Sequence, residues 1–398
     1  MKVAILTAGG LAPCLSASIG ALLDNYSKEL PEAELFGYLY GYQGLLKGDL
    51  FQFPPTNDMD VNQLFEFGGS LLGNSRVKLT NAEDCIRRGL VAEGDLPLEI
   101  AAKQLQKDKI NILHTIGGDD TNTMAAALSN YLSENNYDLT VIGLPKTVDN
   151  DIIPIKQSLG ADTAADQGSI FFQNIVNENT SNPKTFIIHE VMGRHCGWLT
   201  AATAKKYRAS LLNKGFNSSV LLHRESWDID AIYIPEMKID LNQEANRLKH
   251  TMHDKGNVNI FISEGSCQEE ILTDMKNNNQ EIKKDAFGHV RLDKINPGLW
   301  LSNQFSSSIG AEKTLVQKSG YFSRSAAPNN FDLDLIKNSA AYAVKCAMNH
   351  KSGVVGLDED DNDVLSTINF DRIKGGKPFD TNIAWFQEML QDIGQSHL

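Results

Sequence analysis

The chain has 398 residues, 41% of them hydrophobic and 22% charged, with a formal net charge of −13 at pH 7. That length buries a substantial core and suggests two or three domains, and the ordinary charged fraction excludes a disordered chain. The acidic balance argues against a general binder of nucleic acid or anionic membrane, though not against small anions held locally by Arg, Lys and backbone N–H groups.

The first predicted element is a strand over Val3–Thr7, ending at Gly9-Gly10, with helical spacing after Pro13. The opening MKVAILTAGG lacks the apolar stretch of a signal peptide, and no run approaches the ~18 apolar residues of a membrane span. Ile110–Ile116 reads as a second strand ending at Gly117-Gly118, followed by a helix over Thr121–Leu132. Leu139–Leu144 is a third strand closed by Pro145, then a loop from Lys146 to Gln157 and a helix over Asp162–Val176. Lys184–Val191, Ile232–Pro235 and Asn257–Glu264 read as strands, and Trp198–Lys205, Leu241–His253 and Phe331–Met348 as helices. The polar stretch Gln268–Asp293 reads as a surface excursion rather than core. Alternating β and α segments predict an α/β fold with mostly parallel sheets, in which ligands sit at the carboxyl ends of strands. The five cysteines are widely spaced without a CxxC pair, so neither a zinc site nor a disulfide framework is expected, and a reducing cytosol fits.

Six segments carry candidate chemistry, and five of them follow a predicted strand. In Gly117-Gly118-Asp119-Asp120-Thr121 the glycines and helix start favour an anion, yet two carboxylates repel phosphate. A magnesium ion between carboxylate and phosphate resolves the conflict, while simple helix capping by Asp119 and Asp120 is the alternative. In Pro145-Lys146-Thr147-Val148-Asp149-Asn150-Asp151, one carboxylate can accept a hydroxyl proton, another can help hold a metal, and Lys146 can neutralise a transferred group. A polar Asx-turn is the bland reading of that loop. Met192-Gly193-Arg194-His195-Cys196 offers an arginine fork for phosphate. A His195/Cys196 nucleophile is discounted, because adjacent residues seldom face each other and no orienting acid is evident. Ser263-Glu264-Gly265, Gly320-Tyr321-Phe322-Ser323-Arg324 and Thr7-Ala8-Gly9-Gly10 complete the set. Neither GxGxxG nor GxxxxGK[ST] occurs.

Together and in this order, the six segments resemble the phosphofructokinase family from Val3 to about Leu335. The resemblance implies two Rossmann-like α/β domains with the active site in the interdomain cleft. Their expected extents are 1–160 plus 323–372 for the phosphoryl donor and 161–322 plus 373–398 for the sugar phosphate, with an insertion near 268–293. It implies Gly10 at the donor, Asp119 on magnesium, and Asp149 as base within the sugar-phosphate loop of Thr147, Val148 and Asp149. Asp151 would assist at metal and phosphate, and Arg76 would stabilise the transferring group. Met192, Gly193 and Arg194 would line the acceptor site, with Arg194 near the transferred group to offset its charge together with Lys146 and Arg76. Glu264 would bind sugar hydroxyls, and Tyr321, Phe322, Ser323 and Arg324 would hold the 6-phosphate end.

Family members that use ATP have glycine at the positions of Asp120 and Lys146; the pair present here resembles pyrophosphate-using members. A carboxylate at Asp120 repels the α-phosphate of ATP, and Lys146 suits a small, highly charged donor. The implied reaction is reversible transfer from pyrophosphate to the 1-hydroxyl of fructose 6-phosphate, in the cytoplasm, by a homodimer or homotetramer. Neighbouring subunits often supply arginines to the 6-phosphate in the family, and Lys184 and Lys313 are only loose counterparts. The competing readings are an ATP-dependent kinase of related fold and a non-catalytic sugar-phosphate-binding paralogue.

Overall fold

The structure, a computed structural model, describes residues 1–55, 60–279 and 296–395. In chain order its strands are β1 (Lys2–Thr7), β2 (Glu34–Tyr38), β3 (Leu50–Gln52), β4 (Ile112–Gly117), β5 (Thr140–Pro145), β6 (Thr185–Val191), β7 (Ala231–Tyr233), β8 (Asn257–Ser263), β9 (Lys313–Lys318), β10 (Gly353–Asp358) and β11 (Val364–Ile368). They divide between two compact units. The first comprises Met1–Thr163 and Arg324–Lys377, the second Ala164–Ser323 and Pro378–Leu398.

The first unit holds a sheet in the order β11-β10-β5-β4-β1-β2-β3, parallel except at its two antiparallel edge pairs. Its centre follows from the sequence. β4 (ILHTIG) and β5 (TVIGLP) are buried at every position, as expected of parallel strands covered on both faces. The chain runs from β1 through helix Leu15–Glu29 to β2 on one side, and from β4 through helix Asp119–Glu134 to β5 on the other. The direction of winding therefore reverses between β1 and β4. Such a switch point opens a crevice at the carboxyl ends of the strands. The core under the sheet joins Leu6, Tyr38, Tyr42 and Leu113 to Ala101, Leu105 and Leu128 from the helices.

The second unit has an all-parallel sheet in the order β7-β8-β6-β9. Here β6 (TFIIHEV) and β8 (NVNIFIS) are buried throughout. The edge strand β9 (KTLVQK) is only half-buried, which explains its weak apolar signal. Helix Gln268–Asn277 occupies the start of the expected surface excursion and sends Ile271 into the core, a partial correction of that reading. An apolar side chain recurring on one helix face decides this, despite the polar composition. Residues 280–293 of the excursion lie outside the described residues. No helix among the described residues is long and apolar enough to cross a membrane.

Candidate active site

In the first unit the switch point brings together three of the six segments. After β1, Gly9 takes a φ of +88°, a backbone conformation that favours glycine. Its N–H donates to the Ser75 carbonyl at 2.9 Å, which fixes the 74–76 loop alongside it. Ala8 donates to the Ile116 carbonyl at 3.1 Å, so the β1 and β4 turns are adjacent. Lys146, first after β5, donates its backbone N–H to the Gly117 carbonyl at 2.9 Å and its Nζ to the Gly10 carbonyl at 2.8 Å. Its side chain thus crosses the ends of three neighbouring strands while remaining only 5% exposed. Burial pushes the ammonium below its usual range; nearby Arg76 adds to this, while Asp149 and Asp151 oppose it. Arg76 also reaches Gly10, where an added Cβ would meet its guanidinium at 3.6 Å.

After β4, the N-cap of helix Asp119–Glu134 is Gly118, extended at φ −75° and ψ −168°, with no side chain capping the helix end. Asp119 and Asp120 are therefore first-turn residues and not the cap. Burial, then the charges of Asp120 and Asp151, raise the Asp119 carboxyl above its usual range, against an opposing backbone N–H of Asp120. Asp120 points to solvent and pairs with Lys78 at 2.5 Å.

Behind β5, Thr147 ties the two remaining carboxylates together. Its hydroxyl donates to Asp151 Oδ1 at 3.0 Å and accepts the Asp149 N–H at 3.1 Å. Asn150 closes the loop from within, donating to the Lys156 carbonyl at 3.1 Å and accepting the Ser158 N–H at 2.7 Å. Its φ of +54° suits asparagine, which tolerates the left-handed region. Val148 is buried beneath.

In the second unit, three more segments meet at the carboxyl ends of β8, β6 and β9. Glu264 donates its N–H to the Val191 carbonyl at 2.8 Å, and Gly265 to the Gly193 carbonyl at 3.1 Å. Gly193 has a φ of +131°, and a Cβ there would meet the Cys196 carbonyl at 2.6 Å. A Cβ on Gly265 would collide with the Arg194 carbonyl, so both turns need glycine. Arg194 Nε lies 3.8 Å from Glu264 Oε1, and Met192 packs against Gly320. Tyr321 and Phe322 are exposed, and Ser323 is buried. Arg324 opens the return segment of the first unit. Cys196 is buried while His195 is exposed, which leaves them ill-placed as a pair. Lys184 and Lys313 lie at the opposite, amino ends of β6 and β9, where Lys313 binds Glu178 at 3.0 Å and Lys184 faces Glu312 at 3.4 Å.

The sequence reading did not single out Lys78, Asn74 or Gly375. Lys78 stands two residues after Arg76, and that proximity was an available signal. Asn74 holds the Gly9 and Gly10 carbonyls at 3.3 Å each. Gly375 packs on Asp119.

The phosphofructokinase family model matches residues 2–347. A pyrophosphate–fructose 6-phosphate 1-phosphotransferase of Methylomonas methanica is 56% identical over 394 residues, covering 99% of this chain and 96% of the other. The protein of the same name from Propionibacterium freudenreichii is 55% identical over 394 residues, covering 99% and 98%. The structure of a pyrophosphate-dependent phosphofructokinase from Nitrosospira multiformis aligns with TM-score 0.72 at 17% identity, covering 98% of this chain and 91% of that one. At that identity the likeness shows the fold.

Proposed function

The chain belongs to the phosphofructokinase family, and we propose from that premise that it transfers a phosphoryl group reversibly from pyrophosphate to the 1-hydroxyl of fructose 6-phosphate. The observation that carries the donor is Lys146, buried at the switch point with its ammonium on the Gly10 carbonyl, alongside Asp120 in the first turn of an uncapped helix. By the family resemblance, this pair stands where ATP-using members have glycine. Full-length likeness to proteins named for the pyrophosphate reaction supports the same choice.

Asp149 takes the proton of the attacking hydroxyl. Thr147 orients the loop for this, because one hydroxyl group serves both the Asp149 N–H and the Asp151 carboxylate. Lys146 and Arg76 offset the charge that develops on the transferred group and on the leaving phosphate. Val148 is the buried anchor beneath the loop. In the second unit, Met192, Gly193, Arg194, Glu264, Tyr321, Phe322 and Ser323 bind the sugar phosphate, together with Arg324. Their backbone-locked turns supply a preorganised surface for hydroxyls and phosphate.

The donor set fits magnesium. Among the described residues, no group of three or more His, Cys, Asp and Glu side chains is arranged to hold a metal unaided. Magnesium needs no such cage, since it keeps waters and takes one or two carboxylates plus substrate phosphates. Asp119, with Asp151 acting on it, would hold the ion, which when bound supplies positive charge to the phosphate oxygens.

A cytoplasmic location and self-association as a dimer or tetramer belong to the same proposal. The five cysteines, all buried free thiols, support a reducing compartment. The acidic net charge gives no support to nucleic-acid or membrane binding.

The test is formation of fructose 1,6-bisphosphate from fructose 6-phosphate and magnesium, with pyrophosphate and ATP in parallel. Turnover with pyrophosphate alone is expected, and the reverse reaction with phosphate should run in the same preparation. Turnover with ATP alone would overturn the assignment of Asp120 and Lys146.

A further inference from the structure

The family match ends at residue 347, yet the chain returns to the first unit's site beyond it. After β11 the segment 372–377 is fastened to the chain at Asp151, Ile153 and Ile155, just after Asp149. Lys374 exchanges backbone hydrogen bonds with Ile153 at 2.7 and 3.1 Å, and Lys377 donates its N–H to the Asp151 carbonyl at 2.9 Å. Lys377 Nζ donates to the Ile155 carbonyl at 2.5 Å, and Arg372 forks onto Asp358 at 2.7 and 2.8 Å. Ile373 is buried among Ile152, Ile155, Val354 and Ile368. Held this way, the backbone at Gly375 lies against the Asp119 side chain. A Cβ on Gly375 would overlap Asp119 Oδ2 and stand 2.6 Å from its Cγ.

We propose that Gly375 is a positioning residue for Asp119: the bare backbone at this point sets where the carboxylate rests. The proposal deepens the reading of Asp119 as the magnesium-holding group and rests on it. Gly375 is not among the residues with a left-handed φ, so alanine meets no backbone penalty there. What must yield is the carboxylate. It turns on two soft side-chain torsions, whereas the segment opposite is pinned by the six hydrogen bonds named above. Gly376, next in the chain, is the converse case. Its φ is +80° and nothing lies within 4 Å of an added Cβ, so alanine strains the backbone and touches no site residue.

The experiment compares the full-length wild type with Gly375→Ala, Gly376→Ala and Asp119→Asn. It measures thermal unfolding, Mn2+ binding by EPR in the presence of pyrophosphate, and the magnesium dependence of turnover. Gly375→Ala should melt within about 1 °C of wild type, a small shift for a protein this size. Its Mn2+ affinity and magnesium requirement should worsen together by roughly tenfold or more, as for other changes that misplace a metal-holding carboxylate. Its KM for fructose 6-phosphate should stay within about twofold, since uniform loss of the fold would move that as well. Gly376→Ala should show the opposite pattern, with a lower melting point and wild-type Mn2+ affinity. Wild-type Mn2+ affinity in Gly375→Ala, with affinity lost in Asp119→Asn, overturns the role of Gly375 alone. Wild-type affinity in Asp119→Asn overturns both that role and the metal reading beneath it.

Discussion

Replacing Lys146 with methionine removes one charge while keeping an unbranched side chain of similar length. The ammonium is almost fully buried and donates to the Gly10 carbonyl at 2.8 Å. It is thus a fixed cation, set in place before any donor arrives, which is the arrangement that makes electrostatic stabilisation effective. Removing one such donor costs about 3–4 kcal/mol in the transition state, so kcat with pyrophosphate should fall roughly 10²–10³-fold. The fold should tolerate the change. The Gly10 carbonyl keeps a second partner in Asn74 Nδ2 at 3.3 Å, and an orphaned acceptor is therefore avoided. Net loss should stay near 1 kcal/mol, the value of one ordinary hydrogen bond.

Stability against pH supplies an independent check. Burial holds the folded Lys146 pKa below 10.5, so the native state binds this proton less tightly than the unfolded chain. The resulting penalty is present in full at neutral pH and fades as pH rises through the folded pKa toward 10.5. Wild type should accordingly gain stability relative to Lys146→Met over the alkaline range. The assay is steady-state kinetics with pyrophosphate varied, together with urea unfolding from pH 7 to 10. A kcat within threefold of wild type, in a variant that remains folded, would refute the role given to this lysine.

Exchanging both Asp120 and Lys146 for glycine should raise kcat/KM for ATP at least tenfold and lower it for pyrophosphate, measured with each donor in turn; unchanged ATP use refutes the donor argument. Asp332 offers a test of stability apart from chemistry. It is fully buried, and burial raises its carboxyl to about 6 although it accepts the N–H groups of Gly160 and Thr163 and the Thr163 hydroxyl. The folded state then holds the proton more tightly than the unfolded chain, so wild type should lose up to about 3 kcal/mol relative to Asp332→Asn as pH rises from 4 to 7. Parallel urea-unfolding curves for the two proteins across that range would contradict it.

The central strands were legible because burial on both faces demands continuous apolar runs, as in β4, β5, β6 and β8. The edges were not. β9 carries a lysine at each end, and β3 has three residues, so neither pattern rises above a loop. Helix Pro97–Asp108 was a missed opportunity. It places proline in its first turn and buries Ala101, Ala102 and Leu105 on one face, both of which are readable signals. Five of the six site segments stood out because each follows a legible strand, and turns at carboxyl ends collect ligands; the sixth, Gly320–Arg324, follows β9, whose pattern is silent. Which segments are neighbours is a different matter. The reversal of winding between β1 and β4 joins Gly10 to Lys146 across 136 residues, and Gly375 reaches Asp119 from beyond the last predicted helix. Local pattern carries no information about pairings of that range.

The proposed donor choice gives the two positions different tasks. An uncapped helix start with Gly118 at its N-cap is a natural anion site. Asp119 and Asp120 place their own carboxylates in that field, and Lys78 holds the second of them at the surface. On the proposed reading, an extra phosphate approaching the helix start meets a carboxylate where a glycine would leave only N–H groups, so Asp120 would act by exclusion. Lys146, held on the Gly10 carbonyl, would act by attraction. The two effects are independent in origin, and single variants should separate them. Asp120→Gly should chiefly lower KM for ATP while leaving pyrophosphate turnover nearly intact. Lys146→Gly should chiefly lower kcat for pyrophosphate, because the lost charge is one used in the transition state. If either variant alone produced the whole exchange of donors, exclusion and attraction would not be separate functions of these two side chains.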